Sequence, residues 1–123
     1  MAEDPRKYID YRIDKDKKFK NPTKDPDKDT FGEVVRDNSY SYKKILELYA
    51  ETRGLTVDGS FYEWYLRDAG NVVVGYWSTS LFVYNHIRIF NATESDHACI
   101  IELLEKHMVI TRDDILVYRN PRS

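Results

Sequence analysis

VVVGYWSTSLFVYNHIRIF, residues 72–90, decides how the chain folds, because it combines β-branched and aromatic residues over a long stretch with almost no charge. These residue types favour β-strands, and the polar run from Ser78 to Ser80 predicts a break between two of them. Gly75 interrupts the first strand and indicates a bulge or a close approach of a neighbouring backbone. The stretch is therefore predicted to form the central hairpin of an antiparallel sheet.

The second predicted strand carries apolar bulk on both of its faces. Side chains alternate along a strand with period two, so they divide into two rows. We predict that one row lies in the core and that the other lies on a partly exposed face suited to binding. The core row is Leu81, Val83, Ile87 and Ile89, and the other row is Phe82, Tyr84, His86 and Arg88.

Two helices are predicted, one before the strands in the sequence and one after them. The first, at about residues 40–53, follows from apolar residues at three- and four-residue spacing, with Asn38, Ser39 or Ser41 expected to cap its N-terminus. The second, at about residues 94–108, begins at a capping box of Thr93 and Asp96. Their apolar faces are Tyr42, Ile45, Leu46 and Tyr49 in the first helix, and Ile100, Ile101, Leu104 and Met108 in the second.

Residues 55–71 fit two interpretations. As strands, they alternate around a turn at Asp58-Gly59, and the aromatic density favours a sheet. As a helix, Ser60 and Glu63 form a capping box. We favour the strands, which gives an α+β fold: an antiparallel β-meander at about 55–90 and a strand at about 115–119, packed against helices at about 40–53 and 94–108.

Residues 1–30 form a leader with nine basic and eight acidic residues. Mixed charge with little apolar content favours disorder, so we expect this leader to be partly disordered and residues 31–123 to form a single α+β domain. One part of the leader differs, because Ile9, Tyr11 and Ile13 alternate with charged residues. This pattern predicts a short strand at residues 8–13 that could add to a sheet edge.

Charge and cysteine content narrow the class of protein. The formal net charge of −2 argues weakly against binding driven by phosphate neutralisation. The single cysteine, Cys99, cannot form an internal disulfide, which is typical of a reducing compartment. No apolar run long enough for a signal peptide or a membrane helix is present in the sequence. We therefore expect a cytoplasmic protein without a membrane partner.

Catalytic and metal motifs do not emerge from the residue spacing. His97 and Cys99 are two positions apart on a helix and do not face each other, and adjacent Ser95, Asp96 and His97 cannot form a hydrolytic triad. The acidic residues at positions 25, 27 and 29 resemble the start of a calcium loop, but the glycine and the glutamate that complete it are missing. We therefore expect no enzyme activity, no cofactor and no metal.

Aromatic residues make up 14% of the chain, which is its one compositional oddity. They either fill the core of a small domain or form a recognition surface. The leading hypothesis is a small non-enzymatic binding or regulatory protein that contacts another protein through an aromatic-rich sheet face. The candidate binding residues are Tyr62, Trp64, Tyr76, Trp77, Phe82, Tyr84, His86 and Arg88.

Two other classes of function and the oligomeric state stay open at this point. The alternative hypothesis is a single-stranded nucleic-acid-binding protein, in which the leader lysines contact phosphate and a stacking platform for bases is formed by Trp77, Phe82, Tyr84 and Arg88. A pocket around His86 and Tyr84 could instead serve an enzyme or a carrier of a small ligand. Homo-oligomer formation is also compatible with the sequence.

Overall fold

The computed structural model describes residues 6–24, 33–79 and 84–121 of the chain. Within these ranges the fold is α+β, as predicted, with one antiparallel sheet of six strands and two helices. The strand order across the sheet is β2-β3-β4-β5-β1-β6. In chain order the elements are β1 (Tyr8–Asp14), α1 (Glu33–Glu51), β2 (Thr56–Ser60), β3 (Glu63–Arg67), β4 (Val73–Thr79), β5 (Tyr84–Phe90), α2 (Glu94–His107) and β6 (Ile115–Asn120).

The core lies between one face of the sheet and the two helices, which pack on that same face. Along β5 the predicted alternation is confirmed for the described positions, since every second side chain is buried among the helices. Positions 81–83 of the predicted strand fall outside the described ranges. The buried side chains of β5 are Asn85, Ile87 and Ile89, and the half-buried ones are Tyr84, His86, Arg88 and Phe90.

β1 confirms the short strand predicted within the leader, but its place in the sheet differs from the expectation. It lies between β5 and β6 and pairs with both, rather than adding to an edge. The reason is that both of its faces are occupied. Ile9, Tyr11 and Ile13 are buried toward the helices, and Asp10 is buried on the opposite face. A strand that buries both faces belongs inside a sheet.

The segment after β1, residues 15–24, is irregular and crosses to the helix side of the sheet. Phe19 is buried, bridges to Met108 after α2, and packs its ring edge-on against Tyr42 of α1 at 4.8 Å. The backbone N–H of Thr23 donates to Ser41 Oγ at 2.9 Å. Because residues 25–32 are not described, the disorder of the leader and the domain boundary at residue 30 stay predictions.

α1 begins at Glu33, earlier than the spacing predicts, and the residues expected to cap it lie inside the helix. Ser41 Oγ donates to the carbonyl oxygen of Asp37 at 2.9 Å, and Ser39 Oγ accepts from the indole N–H of Trp64 at 2.9 Å. The prediction of a cap here is wrong because these hydroxyls find partners within the helix and on β3. Their capping preference is therefore not needed at the N-terminus.

Residues 55–71 form strands, so the strand interpretation is confirmed, but the predicted turn at Asp58-Gly59 is wrong. The turn lies at Phe61 and Tyr62, and Gly59 is a strand residue opposite Trp64. Gly59 has φ +132°, and a Cβ there would overlap the carbonyl oxygen of Glu63. This glycine is therefore required by close backbone contact between β2 and β3 and does not mark a turn.

The start of α2 agrees with the predicted capping box. Thr93 Oγ1 accepts from the backbone N–H of Asp96 at 3.1 Å, and Asp96 Oδ2 accepts from the backbone N–H of Thr93 at 2.9 Å. Asp96 Oδ1 also accepts from Arg53 Nε at 2.7 Å. The cap of α2 is thereby tied to the segment that follows α1.

Gly75 is the position where the sequence indicates a bulge or a close approach, and both are present. The register between β3 and β4 shifts next to it, and a Cβ at Gly75 would lie 2.9 Å from the carbonyl oxygen of Arg88 and 3.0 Å from Leu66 Cδ1. We expect Gly75→Ala to lower the free energy of unfolding by about 1–3 kcal/mol, because backbone must move to make room. Urea denaturation measures this change.

Gly70→Ala is the matched control for this prediction. A Cβ at Gly70 would meet only Asp68 Oδ1 at 3.4 Å, an ordinary contact. We expect it to change the free energy of unfolding by no more than about 0.5 kcal/mol. Equal effects of the two substitutions would contradict the close approach at Gly75.

Candidate interaction surface

The sheet face opposite the helices is the candidate functional site, and we call it the open face. Neither helix packs on it, because both belong to the core on the other side. Strand pairing brings residues from β1, β4, β5 and β6 together there. The residues of the open face used below are Tyr8, Asp10, Arg12, Tyr76, Ser78, Tyr84, His86, Arg88, Phe90, Leu116 and Tyr118.

Asp10 is the centre of the open face, with only 1% of its surface exposed. Its carboxylate accepts two hydrogen bonds from Arg88, at 2.7 Å from Nε and 3.0 Å from Nη2. His86 Nε2 lies 3.1 Å from the same carboxylate, although the angle is not that of a hydrogen bond. This arrangement is a two-pronged ion pair on a surface that no described helix covers.

Electrostatics keep this carboxyl ionised. Burial alone raises the pKa of Asp10, but the contacts with His86 and Arg88 outweigh it, so that the pKa lies below its ordinary value of 3.8. The hydrogen bond to Asp10 in turn raises the pKa of Arg88. Both groups therefore carry charge throughout the neutral range.

Four aromatic rings surround this ion pair, and we call Tyr8, Tyr76, Phe90 and Tyr118 the aromatic cluster. The Tyr8 ring packs against Phe90 at 6.3 Å and against Tyr118 at 6.2 Å, and Tyr76 packs against Phe90 at 6.2 Å. These distances lie in the range of favourable ring contacts. The cluster spans four strands of the sheet from β4 to β6.

Two arginines cover ring faces within the aromatic cluster. The guanidinium carbon of Arg88 lies 3.8 Å from the centre of the Tyr8 ring, and that of Arg6 lies 3.9 Å from the centre of the Phe90 ring. Arg6 Nη1 also donates to the carbonyl oxygen of Val73 at 2.8 Å. These cation–π contacts hold the rings in place and leave mainly ring edges and guanidinium groups toward solvent.

Beside the aromatic cluster the open face contains a cleft of about 370 Å³. Every lining side chain carries a hydroxyl, imidazole or guanidinium group, while polar and apolar atoms contribute about equally to the exposed lining. Arg12 is exposed at its rim. Across residues 6–24, 33–79 and 84–121 no group of three or more His, Cys, Asp or Glu could hold a metal ion. The residues lining the cleft are Arg12, Ser78, Thr79, Tyr84 and His86.

The structure brings together only some of the residues that the sequence suggested for binding. Tyr76, Tyr84, His86 and Arg88 share the open face. Tyr62 is 60% exposed but lies in the turn between β2 and β3. Phe82 falls outside the described residues.

Trp64 and Trp77 are corrections to the predicted site, because both are buried in the core. They lie opposite each other on β3 and β4, on the face that packs against the helices. The Trp77 ring stacks on Tyr42 at 5.4 Å, and the Trp64 indole N–H donates to the backbone carbonyl of Ser39 at 3.0 Å. Their expected place on a binding surface is wrong because the period-two alternation of β4 directs Trp77 inward, next to Tyr76, which points outward.

Several residues of the open face were not among the sequence candidates. Tyr8 and Asp10 lie in the leader, and Tyr118 lies in the closing strand. The signal that could have found the first two is the alternation of β1, which places them opposite the apolar row of Ile9, Tyr11 and Ile13. Nothing local connects Asp10 to Arg88, since 78 residues separate them.

The remaining reactive side chains lie on the helix side in structural contacts. His97 Nδ1 is 2.9 Å from the hydroxyl of Tyr11, and burial lowers the pKa of His97. The thiol of Cys99 is half-buried and receives a long contact of 3.6 Å from Arg53 Nη1. These side chains lie apart from the open face.

Comparisons with protein-family models, with curated proteins and with solved structures find no match to this chain. Among the residues described here, neither helix has the length and apolar character needed to span a membrane.

The buried ion pair yields a prediction about stability. We expect Asp10→Asn to lower the free energy of unfolding by about 2–3 kcal/mol at pH 7, because Arg88 then loses its counter-charge in a partly buried site. The lowered pKa of Asp10 means that its contribution is present above pH 3.8 and is lost as the pH falls further. The difference between wild type and variant should therefore shrink below about pH 4, as measured by urea denaturation across pH.

Asp58→Asn is the control, because Asp58 also binds an arginine through two oxygens but lies in the open. Arg67 Nε is 3.1 Å and 3.0 Å from its two carboxylate oxygens. We expect this control to cost less than about 1 kcal/mol. If Asp10→Asn were no more costly than Asp58→Asn, Asp10 would not be the centre of the open face.

Proposed function

We propose that the protein is a small non-enzymatic binding or regulatory protein, and that it contacts another protein through its open face. The observation that supports this proposal is the aromatic cluster, which is held around a buried ion pair on a sheet face that neither α1 nor α2 covers. Aromatic residues and arginine are enriched where proteins meet. A face built from both, and fixed in place before binding, loses little side-chain entropy when a partner docks.

The chemistry of the open face suggests what its partner offers. In the aromatic cluster the rings of Tyr8, Tyr76 and Phe90 are half-buried, and Tyr118 on β6 is 57% exposed. Arg12 is exposed beside the polar cleft. We infer a partner surface with apolar groups opposite the rings and a carboxylate or carbonyl opposite Arg12.

The alternative function, single-stranded nucleic-acid binding, has less support in the geometry. Base stacking needs free ring faces, but guanidinium groups cover the faces of Tyr8 and Phe90. Trp77, one of the expected stacking residues, is in the core.

Two of the leader lysines, Lys18 and Lys20, also lie away from the open face. The backbone carbonyl of Lys18 accepts from Val109 at 2.8 Å, and Lys20 Nζ donates to the carbonyl of Glu105 in α2 at 3.1 Å. These lysines therefore run along the helix side of the sheet. A strand of nucleic acid stacked on the open face would not reach them directly, which favours the protein partner.

The cleft beside His86 and Tyr84 gives only weak support to an enzyme or a small-ligand carrier. Ligand pockets are lined mainly by apolar side chains, whereas hydroxyl, imidazole and guanidinium groups line this cleft. We treat it as the polar rim of the protein-binding face.

We also propose a cytoplasmic location, because the one cysteine of the chain is a free thiol. Cell fractionation with an antibody to the protein tests this location. Recovery of the protein in a secreted or oxidising compartment would contradict it.

Charge reversal on the open face tests the proposed function. We expect Arg12→Glu to reduce capture of the partner by about tenfold, because the substitution removes the exposed cation at the rim and places a like charge against the partner's acidic group. The measurement is affinity capture from source cells with the full chain, followed by quantitative mass spectrometry.

Lys44→Glu is the matched control, since it changes the net charge by the same amount on the exposed side of α1, across the sheet from the open face. We expect it to capture the same proteins as wild type. Equal capture by both variants would contradict a role for the open face. Tight binding to a single-stranded oligonucleotide that weakens steeply with salt would support the alternative function instead.

A further inference from the structure

The two edges of the sheet differ sharply in character. β2, at one edge, carries Asp58, Gly59 and Ser60 and is exposed over most of its length. Charge, glycine and short length are the usual means by which a sheet edge avoids pairing with other chains. β2 is therefore a protected edge.

β6, at the other edge, has the opposite character. Three consecutive apolar residues on it are exposed: Leu116 by 53%, Val117 by 40% and Tyr118 by 57%. Within the described ranges, β6 pairs with β1 on one side and with no strand on the other. β6 has six residues without proline or glycine, and its first four are apolar or aromatic. An exposed edge strand of this kind is a template for a further strand.

We propose that the free edge of β6 pairs antiparallel with β6 of a second copy of the chain, so that two sheets join into one. The proposal does not depend on the proposed function, because this edge can pair whether or not the open face binds another protein.

The sequence of β6 is complementary to itself in one register. In such a dimer a two-fold axis runs perpendicular to the joined sheet, so the helix sides of both copies lie on the same side of it. Residues that pair across the axis therefore point to the same face of the sheet. This is possible only if one residue of β6 lies opposite the same residue of the second copy. With Val117 on the axis, Val117 meets Val117 on the helix side, and each Leu116 meets Tyr118 on the open face. Apolar side chains then face each other on both sides of the ladder.

The two neighbouring registers are worse. With Leu116 on the axis, only residues 115–117 can pair, because Asp113 and Asp114 lie in a short 3₁₀ helix before β6, so that Tyr118 and Arg119 have no strand partner. With Tyr118 on the axis, Val117 meets a charged residue, and Ile115 meets Pro121, which has no N–H for the ladder. The register centred on Val117 pairs residues 115–119, and it places Leu116, Val117 and Tyr118 of each copy opposite apolar residues.

The charge of Arg119 is compatible with this register. With Val117 on the axis, Arg119 of one copy lies opposite Ile115 of the other. Arg119 already contacts Glu94 of its own α2 through Nη1 at 2.9 Å, and 48% of its side chain is exposed. The stem of Arg119 can therefore lie against Ile115 of the other copy while its guanidinium keeps the contact with Glu94.

Disulfide trapping tests the dimer and its register. In a Cys99→Ser background, we expect Val117→Cys to form an interchain disulfide under mild oxidation. Directly opposed Cα atoms in an antiparallel ladder lie about 4.5–5.5 Å apart, which suits a disulfide. The control is Val57→Cys, a valine on the helix side of the other edge strand. Trapping should be at least about tenfold faster for Val117→Cys, since pairing raises the effective thiol concentration well above that of free protein.

The register has its own control. Leu116→Cys alone should not cross-link, because its copy lies two residues away along the ladder, beyond about 7 Å. A mixture of the Leu116→Cys and Tyr118→Cys chains should cross-link with each other. Faster trapping of Leu116→Cys alone than of Val117→Cys would overturn the register.

Analytical ultracentrifugation of the unmodified chain gives an independent readout. The mean mass should rise toward twice that of the monomer with concentration, and Val117→Lys should stay monomeric with an unchanged circular dichroism spectrum, because a charged residue blocks an edge. Val57→Lys should behave as wild type. A wild-type chain that stays monomeric, together with equal trapping of the Val117→Cys and Val57→Cys variants, would overturn the proposal and leave this edge free or occupied by another protein. Neither outcome bears on charge reversal at Arg12.

Discussion

The carboxylate of Asp10 is buried on a sheet face that no helix of the described residues covers, and the arrangement of β1 depends on how that charge is held. A buried charge without a partner is strongly unfavourable, and Arg88 on β5 supplies the partner through two hydrogen bonds. Asp10 and Arg88 lie directly opposite each other in the ladder between β1 and β5. A slip of one residue would direct Asp10 into the apolar core and expose Ile9 and Tyr11. The ion pair therefore helps to fix both the register and the facing of β1.

Once β1 is fixed, much of the molecule follows. β1 lies between β5 and β6, so it positions the closing strand as well as the open face. On its inner face Tyr11 is fully buried and lies within hydrogen-bonding distance of His97 on α2, which ties the sheet to the helix layer. On its outer face Tyr8 joins the aromatic cluster. A strand from the charged leader thus links the core, the open face and the edge.

The sequence predicts those parts of the fold whose signals are local. The capping box of Thr93 and Asp96 fixes the start of α2, and strict alternation separates the two faces of β5. Prediction from the sequence is wrong where the role of a residue is set by a contact with a residue far away in the chain. Ser39 has the character of a helix cap, but its partner is the indole of Trp64, so α1 runs past it. Gly59 suggests a turn, but its lack of a side chain serves the contact between β2 and β3.

The open face was predictable only where its residues follow from a local signal. Tyr84, His86 and Arg88 follow from the alternation of one strand, whereas Trp77 could be placed only by knowing which face of β4 meets the helices. The alternation of β1 places Asp10 on the face opposite Ile9 and Tyr11, but no local signal connects Asp10 to Arg88, which lies 78 positions away. The number of aromatic residues is known from the composition, but the composition does not show which of them lie in the core and which lie on the surface. That division depends on strand order, which alternation within single strands does not contain.

Tyr118 connects the open face to the exposed edge. Its ring packs on Tyr8 within the aromatic cluster, while its backbone belongs to β6. Because β6 pairs with β1, and β1 pairs with β5 along a ladder that includes Asp10 and Arg88, the edge and the open face share the strand β1. An occupant of either surface would restrict the same side chain. The two surfaces are therefore neighbours that share Tyr118, and this follows from the strand order.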